Sequence, residues 1–279
     1  MPFVSVLDLD VHYVEHGAAA GEAERTAVFL HGFPLDHRSA VASFEPAFAA
    51  RPGWRRVYCD FPGMGRTRAP EWVASSDDVL RVTAAFVDAV VPGPYVVGGC
   101  SFGGYIAAGL AAADPERVNG LALIVPMVLP HAKREIAVHS VLYREPGVTG
   151  SEMDDAMSVI ITAETVRRNR DEIEVALADA DQDAVDRIGE RYEGSFPLLP
   201  ASGPYEHPAL VITGRQDHVL GFNDQWRRYG QWPRATFAVL DRGGHGLSIE
   251  LPSLHDALVG DWLDRVESSL TRGESPESA

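Results

Sequence analysis

The chain has 279 residues, 46% of them hydrophobic, which is ample apolar material for one large core. Its 40 acidic side chains against 24 basic ones give a formal net charge of −16. A chain this acidic repels phosphate backbones, which argues against a nucleic-acid partner.

Met1 to Val14 alternate like a strand and carry Asp8 and Asp10. They lack the basic start, apolar stretch and small-residue cleavage site of a secretory signal. No run reaches the roughly 20 apolar residues of a membrane span, so no membrane partner is expected. Cys59 and Cys100 form neither a metal or redox spacing nor a disulfide framework, so a reducing, cytoplasmic setting is expected.

Further along come short β-branched and aromatic runs: Thr26–Leu30, Arg55–Cys59, Tyr95–Gly98, Leu121–Val125, Ala209–Thr213 and Thr236–Leu240. Each reads as a strand buried on both faces. Between and after them lie helical stretches at Ser76–Val90, Phe102–Ala113, Phe222–Tyr229 and Ser253–Leu270. Alternation of this kind predicts an α/β fold, a parallel sheet covered by helices on both faces. Residues 127–204 break the alternation. Ser151–Ile161, Glu164–Leu177 and Asp183–Tyr192 look helical there, with no convincing strand among them. This predicts a core of residues 1–126 and 205–271, a helical insertion at 127–204, and a disordered polar tail at 272–279.

The segment Tyr95-Val96-Val97-Gly98-Gly99-Cys100-Ser101-Phe102-Gly103-Gly104-Tyr105 runs from an apolar strand into an Ala-rich helix. It contains Gly99-x-Ser101-x-Gly103, the pattern of a nucleophile elbow. A serine on a tight strand-to-helix turn needs glycine two positions to either side, where a side chain would clash. The turn lifts the hydroxyl above the sheet and aims the Phe102 N–H at the same point. The competing reading is a Gly-rich turn whose serine caps a helix. Cys100 is expected to be an inert thiol. A P-loop would require a lysine that Phe102-Gly103-Gly104-Tyr105 lacks, and Gly63-Met64-Gly65 lacks the third glycine of a dinucleotide site.

Serine needs a base, and His245 in Gly243-Gly244-His245-Gly246 follows the last strand-like run. His12 and His16 fall on the N-terminal hairpin, His255 on a helix surface, and His131 and His139 in the insertion. Asp217, in a loop after Leu210-Val211-Ile212-Thr213-Gly214, is favoured to orient the imidazole. Asp241 is the alternative, but it lies only four residues from His245. An oxyanion hole is expected from the Phe33 and Phe102 N–H groups, with His31 shaping the His31-Gly32-Phe33-Pro34 loop. Asp60-Phe61-Pro62-Gly63-Met64-Gly65-Arg66 reads as a rigid loop beside the site.

Taken together, these motifs resemble the α/β-hydrolase superfamily, in its usual order and over nearly the whole chain outside the insertion. The resemblance implies a mostly parallel eight-stranded sheet flanked by helices, with a helical cap between the sixth and seventh strands. Serine at the elbow departs from the epoxide-hydrolase and haloalkane-dehalogenase branches, which carry aspartate there.

The expected function is hydrolysis of an ester or related acyl bond of a small-molecule substrate through an acyl-enzyme, requiring no metal or organic cofactor. The same triad would serve a carbon–carbon bond, lactone or thioester hydrolase, and a non-catalytic ligand-binding protein is the remote alternative. Met127, Tyr143, Met153, Met157 and Phe196 are candidate pocket linings, each at least as suited to ordinary cap core. A homodimer is left open.

Overall fold

The structure, a computed structural model, describes residues 2–129 and 133–272. His131 and nearly all of the 272–279 tail lie outside the described residues, and with them the expectations placed there.

Eight strands form one mixed sheet: β1 (Phe3–Val6), β2 (Leu9–Gly17), β3 (Arg25–Leu30), β4 (Trp54–Cys59), β5 (Tyr95–Cys100), β6 (Val118–Ile124), β9 (Ala209–Gly214) and β10 (Ala235–Leu240). Their order is β1-β2-β4-β3-β5-β6-β9-β10. The β1–β2 and β2–β4 pairs are antiparallel and every other pair is parallel. All six expected strands are present. β10 departs from the both-faces-buried expectation, because it is an edge strand and most of its residues are only half-buried.

Two apolar layers flank the sheet, and the two-residue period of a strand sorts side chains between them. Val28, Leu30 and Val97 face one layer with Val79, Phe86 and Ile106, from α2 (Ser76–Val90) and α3 (Phe102–Ala113). Ala27, Phe29 and Val96 face the other, which is filled by Phe44 of α1 (His37–Phe44) and by Val259, Trp262 and Val266 of α10 (Pro252–Arg272). His255 on α10 is buried against Phe44, at 6.3 Å between ring centres, so its expected surface position is corrected. His12 on β2 is also fully buried.

Between β6 and β9, the sixth and seventh strands of the sheet in chain order, lies the insertion. It carries β7 (Tyr143–Arg144), α4 (Glu152–Met157), β8 (Ile160–Ile161), α5 (Ala163–Arg168), α6 (Val175–Ala178) and α7 (Gln182–Gly189). Strands were not expected here, yet β7 and β8 pair in parallel. The expected helix Ser151–Ile161 stops at Met157 because the following Val159-Ile160-Ile161 run is β-branched and fully packed. The Asp181 N–H donates to Gly63 O at 2.9 Å, and Arg168 Nη1 donates to Ser248 O at 3.0 Å. These bonds tie the insertion to the segments that follow β4 and β10, at the end of a parallel sheet where ligands bind. No described helix is long and apolar enough to cross a membrane.

Candidate active site

Ser101 stands between β5 and α3 with φ +56° and ψ −115°, a conformation that costs a non-glycine residue about 1–3 kcal/mol. Its neighbours explain how it is held. A Cβ on Gly99 would sit 2.3 Å from the Gly103 carbonyl carbon, and one on Gly103 would sit 2.3 Å from Leu30 O. The turn therefore closes only with glycine at both places. The Ser101 N–H donates to Ile124 O at 2.9 Å, and the Met127 N–H donates to Ser101 O at 3.1 Å.

Ser101 is also the N-cap of α3, yet its side chain caps nothing. At α1, α2, α4, α5 and α7 the capping Asp36, Ser75, Ser151, Thr162 and Asp181 each accept a helix amide. The left-handed backbone at Ser101 turns its hydroxyl away from the helix, and Oγ lies 3.1 Å from His245 Nε2. This removes the reading of a serine that merely caps a helix.

His245 Nδ1 lies 3.0 Å from Asp217 Oδ2. With Nδ1–H donating to that carboxylate, Nε2 is left to accept the Ser101 proton. Asp217 has no exposed surface, and its Oδ1 accepts from the Val219 N–H at 2.8 Å and the Leu220 N–H at 2.9 Å. Burial would raise its pKa. The His245 charge and hydrogen bond, with the two amides, outweigh burial and hold it below the ordinary carboxylate value. Asp241, the alternative acid, is exposed, and its carbonyl accepts from Gln216 Nε2 at 3.1 Å.

The other expected elements gather around Ser101. A Cβ on Gly32 would lie 3.6 Å from Ser101 Cβ, so the loop after β3 passes beside Ser101. The Phe33 and Phe102 rings meet edge to face at 5.4 Å. Among the described residues neither of their N–H groups has a hydrogen-bond acceptor, and that of Phe102 opens α3, where none exists within the helix. His31 is fully buried, with Nδ1 2.8 Å from Gly32 O and Nε2 accepting from the Phe61 N–H at 3.0 Å. Burial lowers its pKa, so a neutral imidazole ties this loop to the one after β4. Cys100 points elsewhere, 3.5 Å from Ser43 Oγ, and burial pushes its thiol up to about 11.

His12, His37 and Asp60 form a compact titratable cluster that could offer metal ligands. Each histidine Nδ1 instead lies 2.7 Å from its own Asp60 oxygen, and the His37 and Arg66 N–H groups also donate to that carboxylate. Desolvation opposes these donors, but they hold the Asp60 carboxyl far below its ordinary value. A carboxylate so surrounded by donors is a hydrogen-bonded hub, and it fixes the rigid loop expected at Asp60–Arg66.

The expected pocket linings separate. Met127 is buried next to Ser101, Phe196 packs on Tyr105 of α3 at 4.7 Å, Met153 is half-buried, and Tyr143 and Met157 are exposed on the insertion. Tyr192, which nothing in the sequence singled out, stacks on Phe102 at 5.0 Å and meets Phe33 edge to face at 5.1 Å. Its carbonyl accepts from Ser76 Oγ at 2.7 Å, so α2 anchors it. Arg134 was also missed. Its Nε donates to Leu129 O at 2.9 Å and its Nη1 to Val219 O at 3.3 Å. Burial lowers its pKa, while Tyr192 and Asp217 oppose that through charge, so its guanidinium lies within electrostatic reach of both.

A family model described as the alpha/beta hydrolase family matches residues 27–260. The 2-hydroxy-6-oxononadienedioate/2-hydroxy-6-oxononatrienedioate hydrolase 1 of Dechloromonas aromatica (strain RCB) is 27% identical, over 92% of this chain and 91% of its own. The hydrolase of the same description from Cupriavidus pinatubonensis (strain JMP 134 / LMG 1197) is also 27% identical, over 94% of each chain. Among solved structures, an alpha/beta superfamily hydrolase from Oenococcus oeni PSU-1 superposes with a TM-score of 0.82 at 25% identity, covering 92% of this chain and 96% of that one.

Proposed function

The chain belongs to the alpha/beta hydrolase family, and on that footing we propose that it is a serine hydrolase cleaving an acyl bond of a small molecule through an acyl-enzyme on Ser101. The observation that carries this reading is the unbroken relay Ser101–His245–Asp217, at 3.1 and 3.0 Å, ending on a carboxylate sealed from solvent. As Ser101 Oγ attacks the carbonyl carbon, its proton passes to His245 Nε2, and Asp217 stabilises the imidazolium. The carbonyl oxygen becomes an oxyanion facing the Phe33 and Phe102 N–H groups, each worth roughly 10²–10³ in kcat at such a position. His245 then protonates the leaving group, which departs, and takes a proton from the water that hydrolyses the acyl-enzyme.

A carboxylic ester is the simplest bond for this machinery. A carbon–carbon bond flanked by carbonyl groups is the second reading, and two observations favour it. The Dechloromonas and Cupriavidus relatives are named as hydrolases of 2-hydroxy-6-oxo-dienedioates and -trienedioates, and they match over nine-tenths of both chains. Arg134, whose Nη1 donates to the carbonyl of Val219 two residues past Asp217, offers a cation suited to an anionic substrate such as a dienedioate.

Steady-state kinetics on p-nitrophenyl esters of two to eight acyl carbons, beside a 2-hydroxy-6-oxo-dienedioate, tests these readings. The ester reading predicts kcat/KM at least tenfold higher on the best ester, and the carbon–carbon reading predicts the reverse. Absence of turnover on every substrate would contradict both.

A further inference from the structure

Glu250, the last residue of α9 (Leu247–Glu250), is a carboxylate buried beside the histidine loop that the reaction scheme does not use. Its Oε2 accepts from the Gly244 N–H at 2.6 Å, on the residue preceding His245. Its Oε1 accepts from the Val159 N–H at 2.6 Å, at the entry to β8 in the insertion. Burial pushes the Glu250 carboxyl up, against the pull of the Val159, Gly244 and Ile160 amides. A buried carboxylate held by backbone N–H groups is costly unless all of them stay in place, so it fixes the segments that supply them to one another.

The packing at the same point is close. A Cβ on Gly244 would lie 2.6 Å from Val159 Cγ2 and 3.2 Å from both Glu250 oxygens. Val159 O in turn accepts from the Leu142 N–H at 2.9 Å, so the start of β7 is fastened to the same residue. Glu250 therefore stands where the insertion, the histidine loop and α9 meet.

We propose that Glu250 is a positioning residue that clasps the insertion to the loop carrying His245, so that seating of the insertion sets where the imidazole stands relative to Ser101. The proposal rests on His245 acting as the general base. It makes the insertion part of the mount of that base as well as a cover over the site. Glu250→Gln offers one carboxamide oxygen and sets an NH₂ against the second amide, so one arm of the clasp opens.

The test compares wild type, Glu250→Gln, Gly244→Ala, Val159→Ala and the Gly244→Ala/Val159→Ala double variant. Two measurements are made on each: amide hydrogen exchange at residues 159 and 244, and kcat and KM on the best substrate. Glu250→Gln is expected to speed exchange at the amide left facing its NH₂ and lower kcat about tenfold or more, with KM within about twofold. Gly244→Ala, which drives a methyl into Val159, should likewise lower kcat. Val159→Ala makes room for the added methyl, so the double variant should recover most of the kcat that Gly244→Ala loses. Unchanged exchange at both amides in Glu250→Gln, or a loosened amide with full kcat, would overturn the proposal. So would a double variant no better than Gly244→Ala. Exchange at the two amides judges the clasp even if Ser101→Ala retains activity, a result that would defeat the triad instead.

Discussion

At the scale of single residues, Ser101 stands apart from the other serine, threonine and aspartate N-caps of the described helices. It occupies the cap position of a helix, and its side chain is withheld from capping. The φ of +56° does this, and glycines at 99 and 103 permit it. Asp217 is equally specialised, because three donors converge on its carboxylate: His245, Val219 and Leu220. Those donors depress its pKa, so it stays ionised as pH falls through the range in which histidines titrate. Asp217→Asn should lower kcat roughly 10³–10⁴-fold, because the amide favours the wrong imidazole tautomer. Asp241→Asn should stay within about twofold, and pre-steady-state and steady-state assays on one substrate separate the two. Equal losses would reassign the acid.

At the scale of elements, the β5–turn–α3 unit is legible in the sequence because each part is local. An apolar run, two spaced glycines and an Ala-rich helix lie within nineteen consecutive residues, from Tyr95 to Ala113. The acid and histidine loops are legible for the same reason, each being a Gly-containing turn after a β-branched strand. The insertion is not. β7 and β8 are two residues each, too short to show alternation, and only their pairing with each other and the packing of Val159 define them. Tyr192, Arg134 and Glu250 were missed because their roles come from contacts with distant segments, such as the 91 positions between Val159 and Glu250. The buried His255 was misplaced for a related reason, since the ring it packs against, Phe44, lies on the distant α1.

The elbow makes a prediction at this scale. Gly103→Ala should destabilise the fold by about 1–3 kcal/mol or more, because its methyl meets the Leu30 carbonyl at 2.3 Å. Gly260→Ala on α10, where nothing lies within 4 Å, should be neutral or stabilising by up to about 1 kcal/mol. Urea unfolding of both variants checks this, and a stable Gly103→Ala would mean that the turn is looser than described.

At the scale of the whole molecule, a parallel sheet delivers three loops to one end. Those after β5, β9 and β10 bring Ser101, Asp217 and His245 together from positions spread over 145 residues of chain. The insertion is tied to the same end by the bonds Asp181–Gly63, Arg168–Ser248 and Val159–Glu250. The substrate is the least legible feature, because it depends on how the insertion's side chains face that space. The central claim, a nucleophilic Ser101 activated by His245, does not depend on knowing the substrate. A fluorophosphonate reacts with an activated serine whatever the natural acyl group, and peptide mass spectrometry locates the adduct. The account predicts one phosphonyl group per chain, on Ser101, absent from Ser101→Ala and slowed at least a hundredfold in His245→Ala. A label on any other residue, or one that persists in Ser101→Ala, would contradict it.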